Sequence, residues 1–291
     1  MVLEHLHDPL GHLLSDASVR QTNWDASKVR EELQHDIDSH ALSVCNAKLL
    51  EITTNFEKQL DKALPKPVES LFEAGGKDTW LSIRKLLKRE TEAVVSEFSH
   101  SVAGFLVEEE TIEKMKQSLR DYARKVVENK AREEAGKVLY RMKDRFATVF
   151  SHDNDSKPRV WTKKADIKAI ERDALSASLK LLSDMAAIRL DEKSDNIERV
   201  LGLLLENKTR AAKTFLDPLA SSTWKEVSPE AILISPVDCK SIWNKFHGEI
   251  EYIIAQAIAA KKEQKHKNYK WIYAALSIPL AIMGGGAMAS S

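Results

Sequence analysis

The placement of proline constrains the fold of this chain more than any other feature of its sequence. Eight prolines leave long proline-free intervals among 291 residues, and the longest of these runs from Val68 to Lys157. Helix interiors exclude proline because it lacks a backbone N–H and clashes with the preceding turn. Within these intervals apolar residues recur at steps of three and four, which is the spacing of an amphipathic helix. The sequence therefore predicts an all-α protein with long amphipathic helices.

The periodic segments define the predicted helices. The first begins after Asp25 and ends near Leu64; as a rod of about 60 Å, it predicts an elongated module. The last begins with Ser235 as its cap and Pro236 in its first turn. Breaks are predicted at Gly75-Gly76 and in the polar stretch Ser151–Pro158. The other predicted helices are Thr79–Gly104, Thr111–Phe150, Asp166–Leu190 and Ile197–Leu205.

One face of the predicted helix Thr111–Phe150 carries charges of both signs. Such a face is typical of a solvated helix surface. In the following helix Ser178 stands where an apolar residue is due, so we expect an interrupted core face there. The residues of the charged face are Glu113, Lys116, Arg120, Arg124, Glu128, Lys130, Glu133 and Glu134.

The charge balance limits the partners of the chain. Its 44 Lys and Arg equal its 44 Asp and Glu, whereas a nucleic-acid binder needs a basic excess to displace counterions from phosphates. We therefore expect no nucleic-acid partner. Cys45 and Cys239 offer no disulfide framework, and we interpret them as small core residues in a protein of a reducing compartment.

The motifs that carry catalysis, cofactor binding or metal binding are missing from the sequence. There is no G-x-x-x-x-G-K-[ST] loop for nucleotide phosphates, no G-x-G-x-x-G and no H-E-x-x-H. Asp153 and Asp155 have the spacing of a calcium loop, but Pro158 and Lys164 occupy the positions that need glycine and glutamate. We therefore expect no catalytic, cofactor-binding or metal-binding residue and no enzyme activity in this chain.

The C-terminus combines a basic segment, 261–270, with the uncharged segment Trp271–Ser291. A helix of that uncharged length spans about 31 Å, close to a bilayer core, and lysines beside it fit the positive-inside pattern. Pro279 and the glycines at 284–286 weaken this interpretation. Two alternatives stay open: a membrane-inserted or interfacial segment, and a disordered or protein-docked tail. The candidate membrane-proximal lysines are Lys261, Lys262, Lys265, Lys267 and Lys270, and the candidate anchor comprises Trp271, Ile272, Tyr273, Leu276, Ile278, Leu280, Ile282 and Met283.

Distinctive segments, several with tryptophan, follow one another in order along about Ser15–Ala260. They are Ser15–Asp25, Asp78–Trp80 with Ile83–Glu90, Lys130–Gly136, Phe150–Asp155 through Pro158–Trp161, Leu179–Ser183, Met185–Asp191 and Asp217–Trp224. Together they resemble the plant root hair defective three family, atlastin-like GTPases of the dynamin superfamily that fuse endoplasmic reticulum membranes.

The resemblance implies a stack of three-helix-type bundles on the cytosolic side of the membrane, between a GTPase domain and a membrane hairpin. Only the middle of the family pattern is matched, so GTP and magnesium belong to a domain that has no counterpart here. We expect a helical stalk for membrane tethering, fusion and tubular network shaping. Its expected partners are the endoplasmic reticulum membrane and either a second copy or full-length family members.

Two other interpretations stay open: a truncated membrane-tethered scaffold or regulator that binds full-length relatives, and an unrelated cytosolic coiled-coil adaptor. The expected location is the endoplasmic reticulum membrane with cytosolic helices, or the soluble cytoplasm if the tail does not insert. The predicted organisation is an extension at 1–14 without a secretory signal, helical blocks at 15–150 and 164–260 around a polar loop at 151–163, a basic juxtamembrane segment at 261–270 and an apolar tail at 271–291.

Overall fold

The structure, a computed structural model, describes residues 26–276 apart from 77, 106, 154, 163, 192–194 and 206–217, with side chains from 27 to 263. Over these residues the regular structure is helical, which confirms the predicted all-α class. The stacking of bundles stays a prediction, and the apolar tail beyond Leu276 lies outside the described residues. The α-helices are α1 (Ala26–Ala63), α2 (Pro65–Ala74), α3 (Thr79–Val102), α4 (Glu109–Gly136), α5 (Val138–Ser151), α6 (Ile167–Asp184), α7 (Ile197–Leu205) and α8 (Pro236–Leu276), and 3₁₀ turns cover Pro218–Ala220 and Pro229–Ala231.

The predicted first helix is confirmed as α1, and the break after α2 lies at Gly75-Gly76 as predicted. Pro65 occupies the first turn of α2, where its missing N–H costs nothing and its fixed φ suits a helix. Gly75 ends α2 with a φ of 53°, in the left-handed region that glycine adopts without strain. Thr79 Oγ1 accepts from the Gly76 N–H at 3.1 Å and donates to the Gly76 carbonyl at 2.9 Å, which fixes the turn.

The single helix predicted over Thr111–Phe150 is wrong, because Lys137 separates α4 from α5. Lys137 has φ −98° and ψ 4°, and its N–H donates to the Glu134 carbonyl at 2.9 Å. This tight turn is of the 3₁₀ type that often closes an α-helix. Only one residue leaves the helical conformation, so the apolar residues keep their helical spacing on both sides of the break. The sequence pattern therefore gives no sign of the break.

The helix predicted over Asp166–Leu190 ends early, since α6 stops at Asp184. Residues 185–190, which we name the core segment, continue without helical structure. The Ile188 N–H donates to the Ala231 carbonyl at 2.8 Å, and the Leu233 N–H donates to the Ala186 carbonyl at 3.0 Å. Ala187 forms an antiparallel bridge with Ile232, and these bonds to a segment far along the chain replace the helical bonds that the apolar pattern predicted.

Ser178 interrupts the apolar face of α6 without interrupting the core. The residue is fully buried, and its hydroxyl lies 3.0 Å from the Ala174 carbonyl and 3.1 Å from the Met142 carbonyl. A buried hydroxyl with such acceptors avoids the cost of a lost hydrogen bond. Ser178 therefore belongs to the α5–α6 interface.

The chain divides into two compact units. Of the described residues, those within Met1–Lys62 and Arg89–Ala123 form the first unit, and those within Ala63–Lys88 and Arg124–Ser291 form the second. The first unit has a core that includes Phe56 and Phe98, whose rings meet edge to face with centroids 5.9 Å apart. The sequence division into blocks 15–150 and 164–260 stays a prediction.

Aromatic rings join α5 and α8 in the second unit. Phe146 contacts Phe246 edge to face at 5.9 Å between centroids, and Trp243 lies 5.4 Å from Phe246.

The cap of α8 is confirmed, because Ser235 Oγ accepts from the Asp238 N–H at 3.2 Å. The buried face of α8 includes Phe246 and Ile250, whereas Ile258 is 41% exposed.

Candidate functional site

The core segment is held in the second unit by side chains from the start of α3. Trp80 Nε1 donates to the Asp184 carbonyl at 2.7 Å, just before the segment. Arg84 Nη1 donates to the Arg189 carbonyl at 2.8 Å, near its end. Both carbonyls lie outside the helical ladder because α6 stops, so these donors satisfy acceptors that the helix leaves open; the Asp184 carbonyl also accepts from Arg189 Nη1 at 3.3 Å.

Arg189 joins the end of α6 to the start of α7. Its Nη1 donates to the Ser183 carbonyl at 2.9 Å, and its Nε and Nη2 donate to the Asp195 carboxylate at 2.5 and 3.1 Å. Asp195 Oδ1 also accepts from the Ile197 N–H at 3.1 Å, at the first residue of α7. A bidentate arginine of this kind fixes both distance and angle, so the two helix ends hold a defined geometry.

Asp184 is a buried acid at the end of α6. Burial raises the pKa of its carboxyl group, although the Lys180 ammonium beside it acts in the opposite direction. Lys180 Nζ lies 2.8 Å from Asp184 Oδ1, while Oδ2 and the neighbouring Ser183 Oγ have no hydrogen-bond partner in the described part of the protein. Burying this carboxylate at the end of α6 costs electrostatic free energy, which the ion pair with Lys180 partly offsets.

A second buried cluster lies where α4 meets α5, and we name it the junction cluster. Glu134 is fully buried, and it binds Lys130 at 3.2 Å, Lys137 at 3.0 Å and the Arg141 guanidinium. Burial acts to raise the pKa of Glu134, but hydrogen bonds from Arg141, Lys137 and Lys130 outweigh it and hold the pKa below its ordinary value. The further acids of the junction cluster are Glu69 and Glu73 on α2 and Glu133 on α4.

The junction cluster corrects the predicted solvated face of α4. Glu134 has no exposed surface, and the Lys130 side chain is only 10% exposed. Lys130 also reaches Glu69 on α2 at 2.9 Å, and Arg141 reaches Glu73 at 2.6 Å. The charges at the end of α4 therefore connect three helices, whereas the rest of the predicted face includes half-exposed arginines such as Arg120 and Arg124.

Side chains also brace the two predicted breaks. Phe72 and Trp80 meet edge to face across Gly75-Gly76, with centroids 5.4 Å apart. In the stretch Ser151–Pro158, Asp153 Oδ1 accepts from the Asp155 and Lys157 N–H groups at 3.0 and 2.9 Å. The Asp153 side chain thus caps a turn, as aspartate commonly does, and Asp155 takes part in this turn through its backbone N–H.

The two cysteines, which we interpreted as core residues, differ in burial. Cys45 is half-buried on α1 and Cys239 is fully buried on α8. Burial raises the pKa of Cys239 to about 12. A thiol with this pKa is not a nucleophile at neutral pH, which agrees with the interpretation of Cys239 as a small core residue.

The predicted membrane-proximal lysines begin at the point where α8 has its last described bond to the second unit. Lys261 Nζ donates to the Ala165 carbonyl at 2.6 Å, and Lys262 is exposed. The backbone is helical through Lys265, Lys267, Lys270 and the anchor residues Trp271, Ile272, Tyr273 and Leu276, whereas Ile278, Leu280, Ile282 and Met283 lie outside the described residues. Over the described residues, none of the helices has the length and apolar content that crossing a bilayer requires.

Comparison with known proteins now decides the family. A family model described as the Sey1 three-helix bundle domain matches residues 5–280. The chain belongs to this family. The predicted resemblance is confirmed: Protein ROOT HAIR DEFECTIVE 3 homolog 2 of Arabidopsis thaliana is 54% identical over 93% of this chain and 33% of its own length.

More distant relatives extend the same picture. Protein ROOT HAIR DEFECTIVE 3 homolog 1 of Oryza sativa subsp. japonica is 51% identical over 93% of this chain and 32% of its own length. Protein SEY1 homolog of Dictyostelium discoideum is 25% identical over 60% of this chain and 20% of its own length. The chain thus spans about a third of the first two relatives. No solved structure matches it.

Sequence reasoning missed the roles of Trp80, Arg84, Asp184 and Arg189. Trp80, Arg84 and Arg189 stood inside the segments that carry the family resemblance, and Asp184 lies between two of them, so tryptophan and arginine within those segments were the available signal. Helical spacing held a signal for the burial of Glu134, because Ala131 and Val138 lie three and four positions away on the same face, but the apolar pattern did not indicate that a charged residue would be buried beside them.

Proposed function

We propose that this chain is the helical stalk of an endoplasmic reticulum membrane-fusion GTPase, coupling a GTPase domain outside this sequence to the membrane. One observation carries the proposal: 93% of the chain matches a single third of Protein ROOT HAIR DEFECTIVE 3 homolog 2 at 54% identity. In such a protein GTP and magnesium are held by the GTPase domain, and the stalk transmits its dimerisation in membrane tethering, fusion and network shaping.

The contacts of the second unit support a mechanical role. A stalk transmits movement only if its helix ends keep their geometry. Arg189 and Trp80 bind the carbonyls where α6 ends, and Arg84 binds the carbonyl of Arg189 in the core segment that follows. α8 then leads from buried Trp243 to the basic segment without a helix break. A continuous helix is stiff over this length, so rotation of its packed part moves its far end.

The experiment is a chimera in which this chain replaces the matching third of the Arabidopsis relative. Reconstituted into liposomes, the chimera should hydrolyse GTP and mix lipids in a GTP-dependent manner. Arg84→Gln should reduce lipid mixing more than GTP hydrolysis, because Arg84 binds the Arg189 carbonyl. Lys85→Gln is the matched control, since Lys85 is the exposed next residue.

Two results would overturn the proposal. One is a folded chimera that hydrolyses GTP normally but never mixes lipids, because the stalk would then not be interchangeable. The other is GTP turnover by the purified chain itself above buffer background after contaminant controls. Co-purification with the full-length relative, combined with a chimera that does not fuse, would support a regulator instead.

A further inference from the structure

We propose that the basic end of α8 binds an anionic membrane surface through the headgroups of acidic phospholipids. The inference rests on the proposed function, because it names the lipid chemistry at the membrane end of the stalk. We define the basic end as residues 262–270, which lie between the last described bond of α8 to the second unit and the uncharged segment that follows.

The described contacts of α8 with the rest of the second unit lie just before this surface. Among the described side chains of α8, the last buried one is Ala257, and Lys261 holds the helix to the Ala165 carbonyl at 2.6 Å. The helix nevertheless continues to Leu276. At 1.5 Å per residue, residues 262–276 add about 22 Å of helix.

The basic end has a local excess of positive charge, although the chain as a whole has none. It holds Lys262, Lys265, Lys267 and Lys270 against a single acid, Glu263, in a chain whose formal net charge is +0. Lys261 is excluded from the set, because its ammonium is bonded to a carbonyl of the folded unit. Lys262 begins the set with an exposed side chain.

Helical spacing places rings and bases together. Positions three and four apart share a face of a helix. By this rule Lys262, Lys265 and His266 fall on one face with Tyr269 and Tyr273, while Lys267 and Lys270 occupy the adjoining arc. Bases interleaved with aromatic rings are typical of helices at a membrane interface.

The neighbouring sequence favours a lipid surface over other polyanions. A nucleic acid or an acidic protein would use only the positive charge, whereas a membrane also accepts the apolar residues that begin with Trp271 and Ile272. Each lysine near an anionic surface strengthens membrane partitioning about fivefold, and salt screens this attraction. The four lysines together therefore predict strong and salt-sensitive binding to acidic vesicles.

The test is flotation of the full chain with vesicles of phosphatidylcholine alone or mixed with phosphatidylserine, at about 0.05 and 0.5 M ionic strength. The variant carries Lys262→Gln, Lys265→Gln, Lys267→Gln and Lys270→Gln. A matched control carries the same substitution at four exposed lysines of the folded units: Lys58, Lys85, Lys88 and Lys245. Far-ultraviolet circular dichroism verifies that all proteins are folded.

We expect wild type and control to bind acidic vesicles at least about tenfold more strongly than the variant at low salt. Arginine at the same four positions should preserve binding. Equal binding to neutral and acidic vesicles, or equal binding by wild type and variant, would overturn the inference. Salt-resistant binding to both vesicle types would assign the interaction to the apolar tail instead. None of these outcomes would refute the proposed function, because only the chimera and turnover experiments test it.

Discussion

Glu134→Gln should destabilise the second unit strongly, because Glu134 is a fully buried anion among three cations. Its Oε1 lies 3.2 Å from Lys130 Nζ and 3.0 Å from Lys137 Nζ, and the Arg141 guanidinium binds its Oε2. Glutamine keeps the shape of the side chain but has no charge. Its amide also offers one acceptor oxygen where the carboxylate offers two.

The expected loss follows from two opposing quantities. A unit charge pair about 3 Å apart attracts with about 5 kcal/mol gross at an effective dielectric constant near 20. Burial of the carboxylate costs several kcal/mol, which the substitution regains. Removing one partner of a buried ion pair costs about 3–5 kcal/mol in practice. We expect about 3 kcal/mol, the lower end of that range, because Glu69, Glu73 and Glu133 still face the cations.

The assay is urea unfolding of the full chain at neutral pH, followed by circular dichroism. Glu133→Gln is the matched control, since Glu133 is the preceding residue, contacts Lys130 and Lys137, and is 53% exposed. The midpoint of the control should stay close to that of the wild type. If Glu134→Gln loses no more stability than Glu133→Gln, the reasoning that burial makes this carboxylate important is refuted.

The pH dependence supplies an independent check. The pKa of Glu134 is lowered in the folded protein, so its contribution is present above the ordinary glutamate pKa of about 4.3 and is lost as the pH falls through the folded pKa. The stability gap between wild type and Glu134→Gln should therefore be constant near neutral pH and narrow below about pH 4. A gap that does not change with acidification would contradict the charge-based explanation.

Three further predictions concern other positions. Gly75→Ala should cost about 1 kcal/mol in unfolding free energy, since the φ of 53° strains a residue with Cβ, whereas Gly76→Ala should cost little because nothing lies within 4 Å of an added Cβ. Burial raises the pKa of Asp184, so its own contribution to stability should increase as the pH falls from neutral, and the stability of wild type relative to Asp184→Asn should rise accordingly. A thiol reagent should modify Cys45 before the buried Cys239, whose pKa is about 12.

Each of these predictions has a contrary result. Equal losses for the two glycine variants in urea unfolding would show that the left-handed backbone at Gly75 is not the cause. An unchanged pH profile for Asp184→Asn would remove the electrostatic cost assigned to this position. Modification of Cys239 in the folded protein, detected by mass spectrometry, would show that its burial is transient.

The helices were predictable where one apolar face was enough to define them. α1 and α7 have bounds close to those predicted, and α7 buries Ile197 and Leu201 on one face, whereas Val44 within α1 is 56% exposed. α6 also has an apolar continuation, yet it ends at Asp184 since the core segment forms backbone bonds with residues 231–234. Local periodicity cannot distinguish these alternatives, because both bury the same apolar residues.

The candidate site was predictable only in part, for the same reason. The basic segment of α8 and the break at Gly75-Gly76 are visible in the sequence as a cluster of lysines and a pair of glycines. The role of Trp80 depends on the Asp184 carbonyl, 104 positions away. A contact at that separation leaves no trace in local spacing.

The sequence by itself determined the helical class, the family and the polarised C-terminus, since these follow from residue types and their spacing. Tertiary structure decided which charges are buried. Glu133 and Glu134 are adjacent and chemically identical, yet one is 53% exposed and the other fully buried. The difference arises because adjacent helix positions point about 100° apart, so Glu134 shares the face of the buried Ala131, where Arg141 of α5 binds it, and Glu133 does not. Burial depends on how helices pack, and helical spacing specifies a face without specifying what lies against it.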